Sequence, residues 1–373
     1  MKNITILALH LNYGGIEKYI SYLCKMFEND YAVEVISTYK HDELPAFEFS
    51  DKINIRYLIN DYPDRISIKR LIKSHNYFLV IKELFRRIKL KYLVYCLNIK
   101  SIKNISADYV ITTRIFHNKL VNKYLKKSNI VKIATEHNYH NNNEKYINKL
   151  INSVTNFDYF VHCTDELYNF YKTKIIGPKN VKIYHPVYIN NNYKSKLNNL
   201  NIVSVGRLSE EKGYLDLIEV MREITKINPN INLTICGDGY LREAIKNKIE
   251  EYKLINNIHL PGFLKDKELA KVYIESSLYV MSSISESFGL VLLEAMHYGL
   301  PCIAFDSASG VRELLKNDTG ILIKNRNIKE MALKIIELLD NQKLLKEYSR
   351  KSLACVKNYS LDKIYNEWQQ IFK

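Results

Sequence analysis

Two glutamates, Glu286 and Glu294, are separated by seven residues in the stretch SESFGLVLLEAMHYGLP (285–301), with Phe288 and Gly289 among them. Small polar residues lead in from LYVMSS (278–283), and the apolar run LVLLEAMHYG closes at Gly299 with Pro301 just beyond, which predicts strand, loop and helix. Backbone amides of Ser287, Phe288, Gly289 and Leu290 then fall at a helix start, where phosphate is electrostatically favoured. One carboxylate would meet one end of a bound molecule and the second the other. Alone, Glu286 is equally an N-terminal helix charge and Glu294 a solvated residue. Leu292, Leu293, Ala295 and Met296 flank Glu294, however, so it needs a partner or a cleft.

Arg207 and Lys212, in VGRLSEEKG (205–213), form a second group. A strand's carboxyl end is where ligands of a doubly wound sheet bind, and two cations five residues apart there suit a diphosphate, Arg as a fork and Lys as a point charge. Gly237 and Gly239 in CGDG, and Gly14 and Gly15 after the first apolar run, are weaker signals. Glycine pairs mark tight turns as readily as ligand contacts.

These groups need a scaffold, and the chain's 373 residues exceed one ordinary core. Short apolar runs at 201–206, 232–237, 257–262, 278–283 and 302–306 alternate with helical spacing such as Leu215, Ile218, Val220 and Met221. A weaker copy runs through 3–8, 32–37, 108–113, 131–135, 158–163 and 181–185. Both halves therefore read as α/β, each a parallel sheet with helices on both faces. The expected division is 1–190, 198–357 and a final helix, 358–373, with a break in the polar stretch 188–199 and a surface loop at 138–145.

Charge is unevenly spread. Residues 1–195 hold 30 Lys and Arg against 17 Asp and Glu, the remainder 25 against 23, and residues 65–103 alone hold eleven against one. Within this segment 77–95 reads as a helix with Leu84, Ile88, Tyr92 and Tyr95 along one side and Lys82, Arg86, Arg87 and Lys89 as candidate membrane contacts. The competing reading is a packed helix with a solvated charged face. Six scattered cysteines argue against a zinc site or disulfide framework, and no apolar stretch approaches a membrane span.

Taken together, VGRLSEEKG, CGDG, LPGF (260–263), the 285–301 stretch and SGVRELLKNDTGILI (309–323) resemble the carboxyl-terminal domain of retaining glycosyltransferases of family 4. NYGGIEKY (12–19) is similar to that family's amino-terminal glycine pair. The resemblance implies a GT-B fold: two Rossmann-like domains facing a central cleft, the last helix returning to the first. It implies diphosphate binding by Arg207, Lys212 and the backbone of Ser287–Leu290, with Gly15 close to the donor. Glu294 would bind the nucleotide ribose, Glu286 the transferred sugar, and Gly262 and Phe263 the base. His137, in ATEHN, matches the family's histidine near the sugar, whereas His185 stands where the family usually has Asn.

The expected activity is transfer of a hexose from a nucleotide diphosphate, a UDP-sugar, to a glycan or lipid-linked acceptor in cell-surface polysaccharide synthesis such as capsule or lipopolysaccharide. No Asp-any-Asp triplet occurs, so no metal or other cofactor is expected. Expected partners are the nucleotide sugar, the acceptor and an anionic membrane, at the inner face of the cytoplasmic membrane. Epimerase or phosphorylase chemistry on the same fold is the alternative. A nucleic-acid binder is the other, disfavoured because paired carboxylates repel a polyanion and no nucleic-acid module is present.

Overall fold

The computed structural model describes residues 1–40, 42–60, 77–138, 140–188 and 192–372; Arg65, Lys69, Arg70 and Lys73 lie outside them. By contacts the chain forms two units. The first comprises 1–137, 142–162 and 170–181, the second 138–141, 163–169 and 182–373.

In the first unit β1 (Lys2–Ala8), β2 (Tyr31–Tyr39), β3 (Asn54–Ile59), β4 (Tyr109–Thr112), β5 (Val131–Thr135), β6 (Tyr159–His162) and β7 (Lys179–Lys182) build one sheet in the order β3-β2-β1-β4-β5-β6-β7. Pairings from β3 through β6 are parallel. β1 lies mid-sheet, so Ile4, Ile6, Leu7 and Ala8 are buried, as an apolar strand covered on both faces requires. From β1 the chain goes to β2 on one side and later returns to β4 on the other. The loops after β1 and β4 thus flank a topological switch point.

The second unit repeats the plan with β8 (Asn201–Val205), β9 (Asn232–Cys236), β10 (Ile258–Gly262), β11 (Leu278–Met281), β12 (Cys302–Phe305) and β13 (Ile321–Ile323), all parallel, ordered β10-β9-β8-β11-β12-β13. Its switch point lies between β8 and β11. Helix Tyr214–Ile227 buries Tyr214, Leu217, Ile218, Val220, Met221 and Ile224 and packs against helix Ile328–Asp340. Of the residues whose spacing marked this helix, Leu215 is exposed; Tyr214 and Leu217 lie on the inner face with Ile218, Val220 and Met221.

The second unit's long segment starts at Lys182, ahead of the polar stretch 188–199, of which 189–191 lie outside the described residues. Helix Leu361–Gln369 groups with this unit, its Trp368 fully buried. The amide of Val187 donates to the carbonyl of Tyr359 at 2.8 Å, tying the two segments together.

Candidate active site

β8 and β11 are neighbours, so the loops leaving their carboxyl ends meet at the switch point. Lys212 Nζ, from the first loop, donates to Glu286 Oε2 in the second, each side chain about one-fifth exposed. Backbone bonds hold the loops in register. The carbonyl of Glu211 accepts from the amides of Ile284 (2.8 Å) and Ser285 (3.3 Å), and Ser282 Oγ donates to the carbonyl of Lys212 (2.8 Å). Arg326 clamps the same junction, donating to Asp216 Oδ2 (2.5 and 3.0 Å) and to the carbonyls of Ser282 (2.9 Å) and Ser283 (3.0 Å). Its guanidinium lies 4.4 Å from the Phe305 ring centroid.

Arg207 is exposed on the first loop. Burial pushes the Glu211 carboxyl up, but the Ser209 hydroxyl bond and the charges of Arg207 and Lys212 outweigh it, and its pKa lies below the ordinary value. Both cations therefore act on one small volume.

Helix Leu290–His297 begins beside Glu286, behind Gly289 in the left-handed conformation at φ +91°. Its first amides have no intrahelical acceptor, which makes this end receptive to anions. Glu294 on the same helix is 2% exposed, so it is no solvated surface residue; the Tyr273 hydroxyl donates to its Oε2 at 3.4 Å. Phe288 anchors the loop from beneath, buried beside the rings of His185 (4.8 Å), Tyr359 (5.9 Å) and Tyr184 (6.2 Å). Gly310, from helix Ser309–Leu315, presses on it so closely that a Cβ there would sit 2.2 Å from Phe288 Cα.

Gly262 and Phe263 leave the end of β10, Phe263 with a 38% exposed ring. Arg242 fastens this corner through a 2.9 Å bond to the carbonyl of Leu260. The glycine of CGDG has a packing explanation: a Cβ on Gly237 would lie 1.9 Å from the carbonyl oxygen of Gly206.

The remaining candidates, Gly15 and His137, belong to the first unit. Gly15 opens helix Gly15–Phe27, with open space where a Cβ would go. His137 follows β5, 6% exposed, its Nε2 2.6 Å from Thr135 Oγ1 and its ring 4.6 Å from that of Tyr19 on the Gly15 helix. Buried Glu17 on that helix binds Arg114 Nη2 (2.8 Å) from the loop after β4, which joins the two sides of the first switch point.

Second-unit geometry therefore gathers Arg207, Lys212, Gly262, Phe263, Glu286, Ser287, Phe288, Gly289, Leu290 and Glu294 along one sheet edge, and first-unit geometry gathers Gly15 and His137 along another. Sequence reasoning passed over Arg326, Glu211 and Gly310. Arg326 lies 110 residues from its Asp216 partner, so spacing carries no sign of it. Among the described residues no group of three or more His, Cys, Asp or Glu is placed to hold a metal ion.

Burial also sets an acid limit on stability. It lowers the pKa of His185 and His117 to about 3 and of His162 to about 4, against an ordinary 6.5. These groups are neutral when folded and protonate on unfolding, so stability is intact above pH 6.5 and declines from there toward the folded values. The slope is up to about 1.4 kcal/mol per pH unit for each histidine. Urea midpoints at pH 7 and pH 5 check this, and His185→Asn is expected to flatten the dependence by about one proton.

Residues 189–353 match the family model for glycosyl transferases group 1. An uncharacterized glycosyltransferase of Haemophilus influenzae is 29% identical over 379 residues, covering 100% of both chains. The poly(ribitol-phosphate) alpha-N-acetylglucosaminyltransferase of Staphylococcus aureus is 31% identical over 170 residues, 45% of this chain and 34% of its own length. Among solved structures, a variant of S. aureus TarM in complex with fondaparinux, alpha-GlcNAc-glycerol and UDP superposes over 100% of both chains with a TM-score of 0.81 at 17% identity. The chain thus has the GT-B fold of glycosyltransferases, and its residues 189–353 match the group 1 glycosyl transferase model.

Proposed function

We propose that the chain is a family 4 enzyme that moves a hexose from a UDP-sugar, with retention of configuration, to a glycan or lipid-linked acceptor during synthesis of a cell-surface polysaccharide. The observation that carries this reading is the Lys212–Glu286 pair at the second switch point, beside a helix start and the exposed Arg207. UDP in the complex of a fold neighbour, and a relative that glycosylates a polyol-phosphate polymer, support the donor and the acceptor class.

In the proposed reaction the bond from the anomeric carbon to the β-phosphate oxygen breaks, and its electron pair leaves with UDP. The acceptor hydroxyl attacks from the face of departure, and its proton passes to the departing phosphate oxygen. Arg207, Lys212 and the amides at Gly289 and Leu290 stabilise the charge that develops on the diphosphate. An ammonium has three donors, so Lys212 can keep Glu286 and still meet a phosphate oxygen. Glu286 holds the sugar hydroxyls, Glu294 the ribose, and Gly262 and Phe263 the base.

Incubation with a panel of nucleotide sugars and polyol-phosphate or lipid-linked acceptors, with the product anomer assigned by NMR, tests the reading. Expected is an α-linked product from an α-linked UDP-sugar, undiminished by EDTA. An inverted linkage would end the retaining assignment. Formation of a free sugar phosphate or an epimerised nucleotide sugar in place of a glycoside would select phosphorylase or epimerase chemistry.

A further inference from the structure

Among the described residues, helix Tyr77–Lys103 is anchored to the first unit through one face. Leu90 and Val94 cluster with Ile59, against which Tyr39, Leu58, Leu97 and Phe116 pack, and Asn98, Ser101 and Ile102 are buried farther along. The outward side is not polar. Phe78, Ile81, Phe85, Ile88, Tyr92 and Tyr95 succeed one another at steps of three and four residues, which aligns them in one stripe about 25 Å long. They are 77%, 54%, 69%, 66%, 72% and 43% exposed. The helix is therefore apolar on two sides: Leu90, Val94 and Ile102 face the unit, and the side carrying Ile88, Tyr92 and Tyr95 faces outward. A stripe of this extent on a surface signals a binding face.

Charge selects what binds there. The helix carries seven Lys and Arg against Glu83 alone. Arg86 and Arg87 both bind Glu83, at 2.7 and 2.9 Å, which neutralises part of their charge locally. Lys82, Lys89 and Lys91 are exposed. Lys82 and Lys89, seven residues apart, border one edge of the stripe and Lys91 the other. A second copy of the chain would bring two such cationic borders together. A polyanion without an apolar phase would leave the phenylalanines and isoleucines in water. An anionic bilayer surface satisfies both features. Among the described residues no helix is long and apolar enough to cross a membrane, so the helix lies on the bilayer rather than through it.

We propose that Tyr77–Lys103 is a membrane-surface helix, with the Phe78–Tyr95 stripe seated at the headgroup–acyl boundary of an anionic leaflet and Lys82, Lys89 and Lys91 on its phosphates. The inference goes beyond sugar transfer and stands or falls without it, because its readout is binding.

Flotation of the full chain with vesicles of equal parts phosphatidylcholine and phosphatidylglycerol tests it, with pure phosphatidylcholine as the control. The chain is expected to float with the anionic vesicles at low salt, less at high salt, and not with the neutral ones. Phe85→Ser/Ile88→Ser is expected to lower partition at least about tenfold, and each of Lys82→Gln and Lys89→Gln about fivefold. All four side chains that change are outward, so thermal unfolding of the variants reports whether the fold is intact. Failure of the wild type to float at low salt overturns the proposal. So does undiminished flotation of Phe85→Ser/Ile88→Ser, or a wild-type dimer in sedimentation that this variant disperses, which would make a second copy the occupant.

Discussion

Replacing Glu286 by alanine is expected to lower kcat/KM for sugar transfer by about 10²–10³-fold, the effect of deleting one preorganised polar contact to a transition state. The thermal midpoint should stay nearly unchanged. Glu286 and Lys212 are about one-fifth exposed and reach water, so loss of the pair costs little in the resting fold. Activity is another matter, because the carboxylate both grips the transferred sugar and fixes the ammonium against the leaving diphosphate in the proposed reaction. Lys212→Met should therefore cost about as much as Glu286→Ala, and the double variant little more than either alone, as groups acting as a unit require. Arg207→Ala should also strongly reduce transfer with no loss of stability, since the side chain is exposed. Wild-type turnover by the Glu286 or the Arg207 variant removes that residue from the site.

The central strands were legible because a strand covered on both faces reads as an unbroken apolar run. VKIAT, NIVSVG and CIAFD correspond to β5, β8 and β12 to within a residue. β3 and β13 escaped notice. Both are edge strands, and β3 carries Arg56 and alternating exposure while β13 has only three residues, so neither presents a run. Side-chain direction was less legible than element type: Leu215 and Leu217 are the same residue type two positions apart, and only packing against the sheet decides which faces in. For the site, spacing located Lys212 and Glu286 because each lies on a short loop at a strand end. It did not locate Arg326, whose role depends on the return of a segment from beyond β13. Nor did spacing show which of the basic helix's two apolar sides packs; that depends on Leu90 and Val94 meeting Ile59, a contact between elements remote in sequence.

Gly310→Ala is expected to damage stability and transfer together. Its Cβ would lie 2.2 Å from Cα, 2.4 Å from O and 2.5 Å from C of Phe288, all backbone atoms with no rotamer to move. Relief requires the helix Ser309–Leu315 or the loop 286–289 to shift by about 1 Å, at about 1–3 kcal/mol for such overpacking. Phe288 is itself wedged among His185, Tyr184 and Tyr359, so the displacement passes to Glu286 and to the helix start at Gly289. A misplacement of that size costs about 10²-fold in rate. Gly15→Ala supplies the contrast. Among the described residues beyond its own turn of helix, nothing lies within 4 Å of its Cβ, and alanine favours a helix, so stability should hold or rise by about 0.5–1 kcal/mol. Transfer should nonetheless fall if the donor passes over that backbone. Chemical denaturation beside steady-state rates separates the two cases: Gly15→Ala with full activity would take Gly15 out of the donor site, and Gly310→Ala with native stability and rate would show that the Phe288 loop yields without disturbing Glu286.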